Sequence, residues 1–552
     1  MVLANRTKIQ SGRSLVRVFG GLNETYACSE AEYSEGVNFS ARDFPALSTR
    51  KPRRKLRALA GLNGMYHLNG LLTVCGKDLV YTPDDRSADA VTCENAVSDS
   101  KKALVGIGTK ILIFPDKLAF DTADGSVSPL GALWQAQGQS VQFTPCDASG
   151  KTYKAYSCGR EEPKEPKDGQ LFLKVEEEDR PWSSTGTLEV YSANSGNWTA
   201  VPLEYCLITA AGAEKLFAQW DTVTAQGTAA KQAGMWEELD GDLVVYDVLE
   251  NGLRVQTAAK GEYFYGTLVQ SADSALWTSM DGKVTRSIPA EGTVSLERRV
   301  PDLDFITECD NRVWGCSSKE NVIYACKLGD PTNWFSYRGI AADSYAVTVG
   351  SDGAFTGATT CMGYALFFKE NTLHKLYGSK PADFQLTSLR CRGVAKNAAR
   401  SLWSEEDVCS YEMASTGGQL YLWDGQALWA ADPDREADWQ STDGVEQKVH
   451  FEMVTGDIGM DGTEDRYLSR LTLRLDAGCG STVEVSASYD GGPWETVANV
   501  TAENQRRSYD LPFVPRRHGT LRLRLKGAGQ ITLRSIAKTM AAARGGITGQ
   551  EV

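Results

Sequence analysis

Residues 363–378 read GYALFFKENTLHKLYG. Two β-rich apolar runs are joined by Lys369, Glu370 and Asn371, a pattern that predicts an antiparallel hairpin. The same pattern occurs in GLLTVCGKDLVYT (70–82), GTKILIFPDKLAFDT (108–122), NRVWGCSSKENVIYAC (311–326) and GGQLYLWDGQALWAAD (417–432). Each copy is a Gly or Asn, an apolar strand, a polar turn holding Asp, Asn or Gly, and a second apolar strand. Outside the long gap after Thr122, neighbouring copies begin 38 to 54 residues apart. Paired strands at this period predict a β-propeller. A four-stranded blade has two apolar faces that it cannot bury alone, and packing against further blades covers both. A β-sandwich would show comparable strands without this unit length.

The rhythm breaks twice. Between Leu130 and Arg299 the repeat disappears into charged loops, hairpin signals such as TGTLEVYSANSGNWTAVPL, and a segment, AGAEKLFAQWDTVTAQGTAAKQAGMWEELDGDLVVYDVLENGLRVQT, that mixes a short helical candidate with more strands. From Val449 on, alternation in YLSRLTLRLDAGCGSTVEVSASYDGGPWETVANV, with Asp-Gly-Gly as a hairpin turn, predicts a compact β-domain. The expected fold class is therefore all-β. It is a β-propeller with a large inserted β-rich (α+β) domain and a small sandwich-like domain near the C-terminus. The expected division is an extended N-terminal arm at 1–57, first blades at 58–130 and a projecting insertion at 131–299. The remaining blades follow at 300–448, then the C-terminal β-domain at 449–540 and a flexible tail at 541–552. The arm is polar and aperiodic, so it needs another surface to order it, on its own propeller or on a neighbouring subunit.

The chain of 552 residues carries a formal charge of −13, which speaks against a surface that grips nucleic acid throughout. No run of about 18 apolar residues predicts a membrane-spanning helix, and the N-terminus lacks a secretory signal pattern. The 13 cysteines are scattered singly without a Cys-x-x-Cys pair, so they are expected to be reduced and mostly buried, in a protein made in a cytoplasm.

Residues 50–57, RKPRRKLR, concentrate Arg50, Lys51, Arg53, Arg54, Lys55 and Arg57. Such a run suits a solvated strand edge, an arm pairing with an acidic partner, or contact with phosphate, although no aromatic alternates with the cations as in a single-strand stacking platform. His67, His374, His450 and His518 lie far apart and have no zinc-binding spacing. No Gly-x-Ser-x-Gly elbow is present, no carboxylate pair stands out, and no cofactor is expected. Asp432–Asp438 and Asp461–Asp465 read as turns, with calcium loops as the alternative. Trp314, Trp334, Trp403, Trp423 and Trp429 sit in or beside the strand repeats, where packing between blades competes with a sugar platform.

One segment resembles a known family. LGDPTNWFSY, followed by VTVGSDGAFTGATTCMGYALFFKENTLHKLYG and then FQL, is similar to the propeller core of the tail hub or nozzle proteins of short-tailed bacteriophages, also called packaged-DNA stabilisation proteins. The resemblance rests on Gly329-Asp330-Pro331 with Trp334, on Asp352-Gly353, and on the strand ending in Lys369-Glu370. It is most specific from about Asn311 to Leu389. The N-terminal stretch GGLNETYACSEAEYSEGVNFSARDFPALSTR and the late stretch RRHGTLRLRLKGAGQITLRSIA resemble, more loosely, an arm and a C-terminal β-domain of phage tail proteins.

The resemblance implies a virion structural protein without catalytic residues, made in the host bacterial cytoplasm. It implies a homo-oligomeric, hexameric ring below the portal–adaptor proteins of the head–tail connector, next to tail fibre or tail tip proteins. Double-stranded DNA would pass through its lumen without sequence-specific binding and be retained there until ejection. The rival readings are a phage propeller that binds host cell-surface glycans and a propeller glycosidase.

Overall fold

The computed structural model describes residues 11–542 apart from 86–87, 154–156, 176–186, 202–203, 231–238, 258–265, 281, 291, 392–411, 417–418, 424, 431–447, 459–465 and 503–505. Among the described residues the structure is nearly all β and almost wholly antiparallel, with one 3-10 turn at Ala213–Lys215 and no α-helix. Of the helical contribution expected between 131 and 299, the described residues show the turn at Ala213–Lys215, and 231–238 lie outside them. Among the described residues no helix is long and apolar enough to cross a membrane. The chain divides into two compact units, residues 91–396 and residues 1–90 with 397–552.

Unit 91–396 contains three four-stranded antiparallel sheets, and the central pair of each is a hairpin predicted from the repeat. The first runs Ala103–Ile107, Lys110–Phe114, Leu118–Asp121, Val127–Pro129. The second runs Phe305–Cys309, Arg312–Ser317, Val322–Ala325, Tyr345–Thr348, and the third Phe355–Cys361, Tyr364–Lys369, Thr372–Tyr377, Gln385–Arg390. Two-residue turns set the registers. Cys309 pairs with Arg312 across Asp310 and Asn311, whose φ angles of 53° and 57° are the left-handed values such a turn demands.

Alternate residues of these strands point to opposite faces, and both faces are apolar, so each sheet must be covered twice. Leu112, Phe114 and Ala119 of the first sheet share a core with Val313, Tyr324 and Cys326 of the second. The opposite face of the second sheet, with Trp314, Cys316 and Ile323, packs on Phe355, Ala365 and Phe367 of the third. Residues 132–298 add a ten-stranded sheet and a small four-stranded one around a separate core that includes Phe143, Ile208, Val245 and Trp277.

In the other unit, Gly70–Cys75 and Asp78–Pro83 form the expected hairpin, flanked by Leu62–His67. The sheet of Glu412–Thr416, Gln419–Trp423 and Ala427–Ala430 gains its fourth strand from Arg54–Ala58, which pairs with Ala427–Ala430. Leu56, Leu62, Leu71, Tyr421 and Leu428 bury one another between these two layers. The C-terminal region forms two further sheets around one core. Leu471, Leu473, Leu533 and Ile536 come from one, and Met453, Val485, Leu523 and Leu525 from the other.

The N-terminal segment differs from the extended arm expected at 1–57. Ser11–Val16 pairs with Ile531–Ala542, Tyr33–Val37 pairs with His450–Thr455, and Phe39–Ser40 and Leu47–Thr49 extend the sheet of Ile531–Ala542. Of its large apolar residues, Phe19, Tyr33, Phe39 and Leu47 are buried in the C-terminal core, while Leu15, Leu22, Tyr26 and Phe44 stay exposed. The surface needed to order this polar segment is supplied by the chain's own last strands.

Candidate functional site

The residues that carry the family resemblance fall in two groups within unit 91–396, and the first, Gly329, Asp330, Pro331 and Trp334, lies in the loop Gly329–Ser344. Gly329 has φ 71°, which turns the chain out of the Val322–Ala325 strand. Asp330 then ties its own turn together. One carboxylate oxygen accepts from the Thr332 amide at 3.0 Å and hydroxyl at 2.6 Å, and the other accepts from Asn333 Nδ2 at 2.6 Å. Pro331 is buried, and its carbonyl accepts from Trp334 Nε1 at 2.8 Å. The indole is fully buried and meets Phe114 edge-on, with centroids 6.4 Å apart. Trp334 therefore fills the seam between the first and second four-stranded sheets, with its only polar atom satisfied inside the loop.

Asn333 links the same loop to the ten-stranded sheet. Its Oδ1 accepts from the Thr222 amide at 3.0 Å, and its Nδ2 donates to Asp221 Oδ1 at 3.0 Å. Asp221 also pairs with Arg298, 2.5 Å away, on a strand of that sheet. The far end of the loop is closed by Asp343, which accepts from the amides of Arg338 and Ile340 at 2.5 and 3.0 Å and from Ser336 Oγ at 3.2 Å.

Beneath it lies Arg312, only 1% exposed, donating to the carbonyls of Cys326, Ala341 and Asp343 at 2.9, 2.7 and 2.5 Å. Burial pushes its pKa down from the usual guanidinium value, opposed by the Asp343 carboxylate. Arg312→Lys is expected to cost about 1–3 kcal/mol for each carbonyl left without a donor, because one ammonium cannot reproduce the planar fork. Urea unfolding of the purified variant reads this directly, and a wild-type midpoint would remove Arg312 from the account.

The second part of the motif joins the second and third four-stranded sheets. Asp352 and Gly353 are exposed in the connection, with Gly353 at φ 84° and Glu370 beside it. Lys369 is only 1% exposed, although the sequence places it at the opening of a polar turn. Its ammonium donates to Asn321 Oδ1 at 2.5 Å and to the Ser351 carbonyl at 2.6 Å, 4.9 Å from the Phe355 ring centroid. Burial lowers its pKa, while the charge of Asp352 acts the other way.

Next to it, His374 Nε2 lies 2.8 Å from Ser351 Oγ and Nδ1 lies 2.9 Å from Ser388 Oγ. Two hydroxyls satisfy either neutral tautomer. Burial, and then the charge of Lys369, lower the His374 pKa. Neutral His374 thus contributes stability that is fully present above its unfolded pKa of about 6.5 and drains away as pH falls toward the lowered folded value. Wild type should lose more stability than His374→Gln between about pH 7 and pH 5. Parallel urea-midpoint profiles for the two proteins would contradict this.

Part of the basic run lies on the edge strand of a four-stranded sheet, and most of its cations are only partly exposed. Of its six cations only Lys51 is exposed, and Arg53 is 1% exposed. Arg54, Lys55 and Arg57 belong to the strand that completes the sheet of Ala427–Ala430, and Arg57 Nη2 donates to Thr73 Oγ1 at 3.0 Å. Arg50 Nε donates to Asn38 Oδ1 at 3.0 Å, and Lys51 lines a polar cleft of about 380 Å³ with Asp43, Asp476 and Gln530.

Trp314 is 3% exposed, and its packing on Phe355 and Phe367 fits the reading as blade filling. Trp403, Asp432–Asp438 and Asp461–Asp465 lie outside the described residues. Among the described residues the cysteines form no disulfide, and burial raises several thiols, Cys146 and Cys309 each to about 11. Sequence reasoning missed Asn333, Asp343, Arg312 and Asp221. Only the unusual density of Asn, Asp and Ser in a loop with so many apolar neighbours signalled a hydrogen-bonded joint.

No protein-family model matches the chain, and no curated protein matches it. Similar solved structures include an exo-β-1,3-galactanase from Phanerochaete chrysosporium, at TM-score 0.15 and 11% identity, covering 72% of this chain and 100% of that one. A glycoside hydrolase family 43 arabinoxylan arabinofuranohydrolase from Bacillus subtilis matches at TM-score 0.16 and 7% identity, covering 79% and 94%. PorZ, a surface component of the type-IX secretion system of Porphyromonas gingivalis, matches at TM-score 0.11 and 10% identity, covering 75% and 66%. The expectation that this chain is not an enzyme is corrected here, since the structures it is matched to include glycoside hydrolases. At such TM-scores the likeness assigns it no activity.

Proposed function

We propose that the repeated four-stranded sheets are blades of a β-propeller, carrying an inserted β-domain and a C-terminal β-sandwich, and that the protein is a tail nozzle of a short-tailed bacteriophage. In this reading a homo-oligomeric ring sits below the portal–adaptor proteins, extends the DNA channel and holds packaged DNA until ejection. The observation that carries it is the role of the family-like residues. Gly329, Asp330, Pro331 and Trp334 form the joint between the first two sheets and the ten-stranded sheet, while Lys369 ties the second sheet to the third.

Side chains spent on locking successive layers fit a part whose work is mechanical, because a conduit under load must resist sliding of one sheet past the next. The formal charge of −13 also supports a channel that must release its DNA, since a basic lumen would retain it. Ring closure requires a heterologous interface whose rotation closes. Sedimentation of the purified chain, alone and with its connector proteins, tests the assembly step. The expected result is a species about six times the mass of one chain. A chain that stays single under both conditions would overturn the reading.

A further inference from the structure

Trp220 is strained. Its φ of 73° places a bulky residue in the left-handed region that glycine favours, yet its amide donates to the Val245 carbonyl at 2.7 Å and its carbonyl faces Lys327 Nζ at 3.5 Å. The backbone is therefore pinned, and its effect is to hold a partly exposed indole on the outer face of the ten-stranded sheet. The ring meets Tyr246 edge-on at 5.3 Å, and Tyr246 meets Tyr205 at 5.0 Å. Arg338 lies over Trp220 and Arg254 over Tyr246, each 5.0 Å from the ring centroid.

The polar groups around these rings are mixed and loosely held. Arg338 Nη2 donates to Gln256 Oε1, and Gln256 Nε2 donates to Glu204 Oε2, both at 3.4 Å, long enough to be exchanged cheaply for a ligand's hydroxyls. Arg254 pairs with Asp247 at 3.0 Å through Nη2, while its buried Nε has no hydrogen-bond acceptor among the described residues. Donors and acceptors thus alternate along one aromatic strip. Glu204 and Asp247 beside the arginines disfavour a polyanion such as single-stranded nucleic acid, whose phosphates would meet carboxylates. A neutral saccharide fits instead. Its C–H faces stack on indole and phenol rings, and each of its hydroxyls both donates and accepts.

We propose that this strip, centred on Trp220, Tyr246 and Arg338 with Gln256 and Glu204, binds a neutral oligosaccharide chain. The site does not depend on ring assembly, so it stands or falls apart from the nozzle reading. The test is isothermal titration of the full-length protein with a panel of neutral hexasaccharides (α- and β-glucans, β-galactans and chitohexaose), with the single strand dT15 as comparison. At least one saccharide should bind and dT15 should not. Trp220→Gly removes the ring and relieves the backbone strain together, so the cooperative unfolding transition should be kept while affinity falls about tenfold or more. Arg338→Ala should weaken binding without moving the unfolding midpoint. Failure of every saccharide to bind, binding of dT15 instead, or saccharide binding that survives both substitutions would each overturn the proposal.

Discussion

Removal of residues 1–57 is expected to abolish the fold of the unit made from residues 1–90 and 397–552. The deletion takes away the partner strands of Ile531–Ala542, His450–Thr455 and Ala427–Ala430. It also strips the cores of Phe19, Tyr33, Phe39, Leu47 and Leu56. At about 1.5–3 kcal/mol for each large buried apolar side chain, the loss is of the order of 10 kcal/mol, comparable to the whole stability of a typical domain. The unpaired edges left behind would favour aggregation. Soluble expression, circular dichroism and limited proteolysis of the truncated chain would show this. A soluble truncation that unfolds with the parent's cooperativity would mean that the N-terminal strands only decorate an independent core.

The second large effect is at Trp334. Replacing it with Ala should destabilise the protein by about 3–5 kcal/mol, the cost of a cavity where an aromatic was fully buried. The cavity would open beside Phe114 and leave the Pro331 carbonyl without its donor. Thermal or urea unfolding gives the number. Trp334→Phe should recover most of the packing but not the hydrogen bond, and so fall between the two. An unchanged midpoint for Trp334→Ala would show that the seam between the first two sheets is held elsewhere.

The hairpins were legible because strand alternation and turn chemistry are local. Gly70–Thr82 and Gly363–Gly378 each contain two strands and a turn whose registers need no distant partner. What lies on either side of each hairpin was harder to read. The strand Arg54–Ala58 joins a sheet whose other strands lie more than 350 residues later, and nothing in RKPRRKLR marks such a closure. Charge misleads at this point. Arg53, just ahead of the strand Arg54–Ala58, is buried within a run that composition alone places in solvent. Lys369 misleads for the same reason, because its neighbours in sequence are polar while its neighbours in space are Asn321 and Phe355.

The loop Gly329–Ser344 shows the opposite case. Its turn residues and Trp334 were conspicuous in sequence. Their partners Asp221, Thr222 and Arg312 lie on other strands, however, and only the folded chain brings them together. Exposed positions such as Trp220 carry no sequence signal of their own, since their meaning depends on a backbone angle and on Arg338, which is distant in sequence.

The most direct test is electron microscopy of the purified protein mixed with the portal–adaptor assembly of the short-tailed phage to which the proposal assigns it. The account predicts sixfold rings with an open axial channel, docked below the adaptor and coaxial with the portal. Isolated chains that never join the connector, at concentrations where the connector itself is intact, would contradict it.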